Sequence, residues 1–403
     1  MNILRKTAIA ASIYLIGTAT FAGSVNASVN VFGASQALTV NATVTPTNDF
    51  VSNNSKLYLA IVQGADVYFY SDTAGFVPYA GGLSALTGPN PAEAPPVRSI
   101  TKGAESITLT GDARGVAGAD VYVGYGASFT ELISNARYTK LYTMITRPED
   151  LTMACVTSRS QIIGPWDASF INKSVSPNYT GSNNVFNTDG LTGWQECFGS
   201  SIASDASNVT ARWTWDYSAI PLEPKWPKAY PAVLYGRYPG TVDISPNMPT
   251  QIGTTQSIVA NWDTTVSTTG TLNLSFDVWI SSDGKSSVLI DPKTTIHTEL
   301  MVWVGTWGKY TQWDSWFPFE VVTVNGRQYH LFLNKNYQNQ QLATFIDVSP
   351  QLKGTSDLMG FANLLKERNL LKATDYIESV ELGTEIGDGI GEVKINNFSV
   401  TVR

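Results

Sequence analysis

The 403-residue sequence has only two histidines and two cysteines, and 15% of its residues are charged. With His297 and His330 alone to supply imidazole, a His-rich metal site is excluded on count. Basic residues are few as well. The 26 Lys and Arg against 33 Asp and Glu leave a net charge of -7, which argues against a nucleic-acid partner, because such affinity comes largely from Lys and Arg neutralising phosphates. Beyond the N-terminus no segment approaches the ~20 uninterrupted apolar residues of a membrane-spanning helix, so no stable membrane insertion is expected. No internal repeat is visible. Helical periodicity is scarce: it is found only at residues 129–136 and at 358–369, where Leu358, Phe361, Leu364 and Leu365 form one stripe.

What is present is the composition of strands and turns. Apolar residues make up 43% of the chain, with dense Thr, Ser, Asn, Gly and Tyr, and the expected class is all-β. The length points to two domains. Eleven Trp and eighteen Tyr suit the axial C–H faces of pyranose rings, or simply fill cores. At the N-terminus Arg5 and Lys6 precede an apolar run over 7–21 and then small residues, the pattern of an export signal cut after Ala22 or Ala27. The mature protein is then expected outside the cell, or in the periplasm of a double-membrane bacterium. In that setting Cys155 and Cys197 either close one disulfide or remain two buried thiols.

The domains are expected at 28–148 and 149–403, after a leader at 1–27. In the first, short β-type runs at 37–44, 56–62, 66–70, 106–109 and 120–123 suggest a small sandwich, and the Pro-rich stretch 89–96 reads as an exposed loop. Arg147-Pro148-Glu149-Asp150 reads as the boundary. Strands then recur at 211–217, 256–262, 271–280, 298–304, 319–324, 327–333, 343–348, 377–382 and 393–402, enough for two large curved sheets of jelly-roll type.

Three acidic segments carry the chemistry. On a strand alternate side chains share a face, so Glu299, Met301 and Trp303 lie together, opposite Leu300, Val302 and Val304. In Ser275-Phe276-Asp277-Val278-Trp279, Asp277 and Trp279 share a face, again an acid beside an indole. In Glu381-Leu382-Gly383-Thr384-Glu385 the two glutamates point the same way, with Gly383 leaving room beside Glu385. Any one of the three could also be a solvated polar face.

Taken together these residues resemble glycoside hydrolase family 12. The likeness runs over most of 155–403: Asn183-Asn184-Val185-Phe186 before Gln195-Glu196-Cys197, Thr214-Trp215, Lys228-Ala229-Tyr230-Pro231, Phe276-Asp277-Val278, Glu299-Leu300-Met301-Val302-Trp303, Gly383-Thr384-Glu385 and the closing Asn397-Phe398-Ser399-Val400. The resemblance implies a concanavalin-like β-jelly-roll domain that hydrolyses β-glucan chains internally with retention. It also implies Glu299 as nucleophile, Glu385 as acid/base, Asp277 as the acid supporting the nucleophile, and no cofactor or metal. The charge on Glu299 is expected to raise the pKa of Glu385. Phe186, Trp279, Met301, Trp303, Trp307 and Trp313 are the expected substrate contacts, and a monomer is expected.

The sequence departs from the family in places. Phe186 stands where a stacking Trp is usual, and Glu381 stands where an uncharged residue is common, which makes it a rival to Glu385. The segment 305–318 is enlarged and carries Trp307, Tyr310, Trp313 and Trp316, which either wall extra sugar subsites or anchor a long loop. Two other readings stay open: a non-catalytic glycan-binding protein, and a structural or adhesive surface protein.

Overall fold

A computed structural model describes residues 25–403 apart from 33–34, 53–54, 89–90, 102, 114–115, 117, 158–172, 175–177, 189, 203–206, 223–225, 238–244, 286–294, 316–317 and 338–339. The leader run at 7–21 and Trp316 lie outside the described residues. The chain divides into two units, Met1–Ile145 and Thr146–Arg403. The division falls just before Arg147-Pro148-Glu149-Asp150, which is part of the second unit rather than a linker. Arg147 is buried and donates to Asn396 Oδ1 (3.4 Å), while Glu149 pairs with Lys394 (3.3 Å).

In the first unit Asn26–Phe32, Leu38–Thr45 and Glu105–Gly111 form a three-stranded antiparallel sheet. Ala27 lies inside the first of these strands, opposite Val44, so a leader ending at 27 would remove two paired residues. Leu38, Val40, Ala42 and Val44 alternate inward and join Leu57, Leu59, Ile61, Val121 and Val123 of a six-stranded sheet in one core. The Lys56–Gln63 strand at the centre of that sheet is apolar on both faces. Its other face, with Tyr58 and Ala60, packs with Phe69, Tyr79, Phe129 and Leu132, so the short helices Gly82–Leu86 and Phe129–Ser134 cover what strict alternation would have exposed.

In the second unit two sheets stack. The outer one has six strands, in the order Ala154–Val156, Gln195–Ile202, Val209–Tyr217, Gly389–Val402, Ile258–Thr268 and Lys353–Asp357. The inner one has ten, and at its centre Ala232–Gly236, Tyr376–Gly383, Leu272–Ser281, Ile296–Trp307, Gln340–Asp347 and Arg327–Tyr337 lie side by side. Between the sheets, Trp213, Trp215, Trp262, Ile395 and Phe398 of the outer meet Phe276, Val278, Leu300, Val302, Val380 and Leu382 of the inner. Each apolar side chain so buried contributes about 1.5–3 kcal/mol. The expected two-sheet jelly roll is therefore what these strands build. The Met359–Glu367 helix closes one end by burying Phe361, Ala362 and Leu365, with Phe361 edge-on to Phe345 and Tyr329.

Cys155 and Cys197 sit directly opposite each other on adjacent strands and form a disulfide. Among the described residues no helix is long and apolar enough to cross a membrane.

Candidate active site

The inner sheet turns one face to its own core and the other to the acids. On Leu272–Ser281 the residues Leu274, Phe276, Val278 and Ile280 enter the core, leaving Asn273, Ser275, Asp277 and Trp279 on the opposite face. Antiparallel pairing then fixes the neighbours. Asp277 lies opposite Glu381 on one side and Met301 on the other, while Trp279 lies opposite Glu299. Directly opposed residues have Cβ atoms about 4.5–5.5 Å apart, so the acids of three separate sequence segments gather at adjoining positions.

Glu385 reaches the same face from beyond the end of its strand. Thr384 points into the core, where the Trp213 indole donates to its hydroxyl (2.9 Å), and alternation turns Glu385 the other way. The backbone of this segment is held by Thr384 N–H to Pro231 O (3.1 Å) and Ile386 N–H to Ala229 O (3.0 Å). Gly383 is required by this close approach: a Cβ there would meet Ala232 Cβ and Pro231 O at 2.7 Å.

Each carboxyl has a different set of partners. Asn273 holds Glu385 twice, donating its amide to Oε2 and accepting the Glu385 backbone N–H at Oδ1 (2.9 Å). Tyr310 donates to the same Oε2 (3.3 Å). Gln340 donates to Glu299 Oε2 (3.4 Å). Glu381 accepts the Trp279 indole N–H (3.0 Å). Asp277 is buried, and its Oδ1 has no hydrogen-bond partner.

Crowding acids in a poorly hydrated floor favours their neutral forms. Glu299 is pushed up to about 8, first by burial and then by the charges of Glu385 and Glu381. Glu385 is raised to about 7 by burial, against the pull of Asn273 and Tyr310. Glu381 is raised to about 7, also by burial, against its bond from Trp279. Asp277 lies well above its usual range through burial and then Glu299, Glu381 and Glu385. The expectation that Glu299 raises Glu385 needs restating: the repulsion is seen at Glu299, and burial is what raises Glu385. Interacting carboxyls titrate as a set, and the donors gathered on Glu385 make Glu299 the costlier of the two to ionise.

Glu299 and Glu385 remain partly exposed while Asp277 and Glu381 are buried, so the first two are the carboxyls open to a bound molecule. Of the expected contacts, Trp279, Met301 and Trp303 all lie on this face. Met301 and Trp303 pack with Tyr310, Ile346 and the partly buried Trp226. Phe186 is half-buried, its backbone N–H bonded to Lys228 O (3.0 Å).

Trp307 does not belong to this face. A β-bulge shifts the pairing from Ser275↔Trp303 to Leu274↔Gly305, which breaks the alternation, so Trp307 falls opposite Leu272 and packs against the main core. The side chain of Trp313 lies outside the described residues. Asn273, Gln340 and the Glu385 bond of Tyr310 went unread in the sequence. Asn273 had a signal, since it shares the alternating face of Asp277; Gln340 had none. The 305–318 segment anchors itself at Tyr310, which is buried and edge-on to Trp226 (5.2 Å) and Trp303 (4.9 Å).

A jelly roll with carboxyls set among indoles on one sheet face is the architecture of a glycan-cleaving enzyme. The chain belongs to glycosyl hydrolase family 12, whose family model matches residues 177–403, and it is accordingly a glycoside hydrolase. It is 26% identical over 236 residues to Endoglucanase S of Pectobacterium parmentieri, spanning 55% of this chain and 80% of that protein. Among solved structures it is similar to a family 12 xyloglucanase from Bacillus licheniformis, with 22% identity, a TM-score of 0.49, and 62% of this chain and 100% of that one covered. Endoglucanase 3 of Trichoderma harzianum is similar at 17% identity and a TM-score of 0.48, over 63% of this chain and 98% of that one.

Proposed function

We propose that the protein is an exported, endo-acting β-1,4-glucan hydrolase that works with retention of configuration. Glu299 attacks the anomeric carbon as Glu385 gives its proton to the departing glycosidic oxygen; Glu385 then takes a proton from water, which displaces Glu299 from the sugar. The observation that carries this reading is the pair of partly exposed carboxyls, Glu299 and Glu385, close enough that the charge of one raises the other. Retention uses carboxyls roughly 5–5.5 Å apart and inversion a wider pair, and the configuration of the azide product below decides between them. Asp277, held neutral by burial and by the charge of Glu299, is the acid that would support the nucleophile.

Glu381 is a poor rival acid, because it is 6% exposed and its Oε1 is occupied by the Trp279 indole. Export is supported by Arg5, Lys6 and the apolar run that follows, and a cut after Ala22 leaves the Asn26–Phe32 strand whole. The substrate is a β-glucan chain, cellulose-like, mixed-linkage or xyloglucan, running over the floor that the buried Trp279, Met301 and Trp303 support.

The test is release of reducing ends from carboxymethyl-cellulose, mixed-linkage β-glucan and xyloglucan. Glu299→Gln is expected to abolish release while preserving fold and glucan binding; full activity in that variant refutes the assignment. Azide is expected to rescue Glu385→Ala as a glycosyl azide of retained configuration. Rescue of Glu381→Ala instead would exchange the two roles, and sugar binding by the wild type without hydrolysis would establish the glycan-binding reading.

A further inference from the structure

We infer that the substrate cleft reaches the edge of the inner sheet, where Phe319 forms a further sugar-stacking subsite remote from the carboxyls. The subsite rests on the glucan-hydrolase reading and adds to it the length of chain that the protein grips.

The pairing of the inner sheet points there. Phe319 immediately precedes Glu320–Val324, the edge strand, which pairs with Arg327–Tyr337. Gln340–Asp347 and Ile296–Trp307 follow in order. Tyr329, Leu331 and Phe345 enter the core, so alternation turns His330 and Phe332 to the face that carries Glu299 and Met301. Glu381, Asp277, Met301, Thr344 and Phe332 then lie opposite one another in turn, a single row running across five strands. Phe319 continues that row, because the next residue, Glu320, is opposite Leu331. Its ring lies 5.9 Å from that of Phe332 and 4.3 Å from that of His330. Three strand spacings separate Met301 from Phe319, roughly 14 Å, the length of about three glucosyl residues.

The surface at this edge is apolar and open. Phe319 is 41% and Val321 53% exposed, at an edge where proteins ordinarily place charged side chains. Glu320 lies on the other face of the strand and pairs with Arg368 (2.7 Å). Bare apolar surface continuous with a cleft is the mark of a ligand groove. Phe332 supplies the continuity, since it packs against the cluster of Met301, Trp303, Tyr310 and Ile346. His330 backs the Phe319 ring at an inclination of 33° and so helps to fix its plane. A flat apolar ring held in this way suits the axial C–H face of a pyranose, whose hydroxyls stay in water at the rim.

Calorimetric titration of the Glu299→Gln protein with cellohexaose, a chain long enough to span from the carboxyls to the edge, tests the subsite without depending on turnover. Adding Phe319→Ala should weaken binding about ten-fold. Phe319→Leu, apolar but not flat, should weaken it nearly as much, and Phe319→Trp should retain it. Cellohexaose affinity unchanged in Phe319→Ala, or a loss that Leu restores as well as Trp does, would overturn the inference. So would a dimer in sedimentation that Phe319→Ala dissociates, because a second copy of the chain would then be what covers the ring. Reducing-end release by the wild type is read separately: hydrolysis with no effect of Phe319→Ala on binding defeats the subsite alone, whereas the expected binding pattern without hydrolysis defeats the hydrolase reading and leaves the subsite standing.

Discussion

Replacing Glu381 with Gln should make the catalytic unit more stable at pH 8 than the wild type while changing little at pH 4. A glutamate in the unfolded chain ionises near 4.5, whereas burial holds the folded carboxyl at about 7. Between those values the unfolded chain has released its proton and the folded chain has not, so rising pH favours unfolding. The stability is fully present below 4.5 and lost by about 7. A difference of 2.5 units from these two values, at about 1.4 kcal/mol each, amounts to about 3 kcal/mol, and Glu381 is too buried for solvent to screen much of it. Gln carries no such proton, and its carbonyl can still accept the Trp279 indole. Glu196 is also held protonated by burial, but it is present in both proteins and drops out of the comparison, whereas Asp277 and Glu299 lose the charge of Glu381 in the variant, which acts in the same direction. At about 2–4 °C per kcal/mol, the melting difference between variant and wild type should grow by about 6–12 °C from pH 4 to pH 8. All eleven tryptophans lie beyond residue 146, so indole fluorescence follows this unit alone. An equal difference at both pH values would refute the reasoning.

Other outcomes follow from the same geometry. The reaction needs Glu299 ionised and Glu385 protonated, so activity should be bell-shaped around neutrality, given free-site values of about 8 and about 7. Because Glu299 holds the higher of the two values, the acid limb is the one Glu385 sets. Asn273→Ala removes a bond that lowers Glu385, so the acid limb of its pH–rate profile should move to higher pH, and an unmoved limb would count against the clamp. Opening the Cys155–Cys197 bridge, with its separation of 42 residues, should cost about 4 kcal/mol of stability on the loop-entropy estimate, measured as a lower denaturant midpoint in the double Ser variant.

The strands read at 271–280 and 298–304 were legible because one face is continuous core, and period-two alternation then places Asp277, Trp279, Glu299, Met301 and Trp303 together without any knowledge of pairing. Alternation also explains the failure at Trp307, since a bulge leaves no mark in local composition. Ala232–Gly236 went unread because it is short and buried on both faces, and so carries no alternation at all. Gln195–Ile202 went unread because Gly199, Ser200 and Ser201 have little strand preference. The bond from Gln340 to Glu299 depends on a strand 41 residues away, and only the assembled sheet makes it visible.

Asn273 and Asp277 stand on the same strand, one gripping Glu385 and the other coupled in charge to Glu299, the proposed acid/base and nucleophile. Four residues of extended chain, about 13 Å, thus serve as a common ruler for both halves of the reaction. A change in the loops around the cleft can alter which glucan is admitted without touching that ruler. On the proposed mechanism, substrate preference can therefore change with the loops while the placement of the two carboxyls stays fixed.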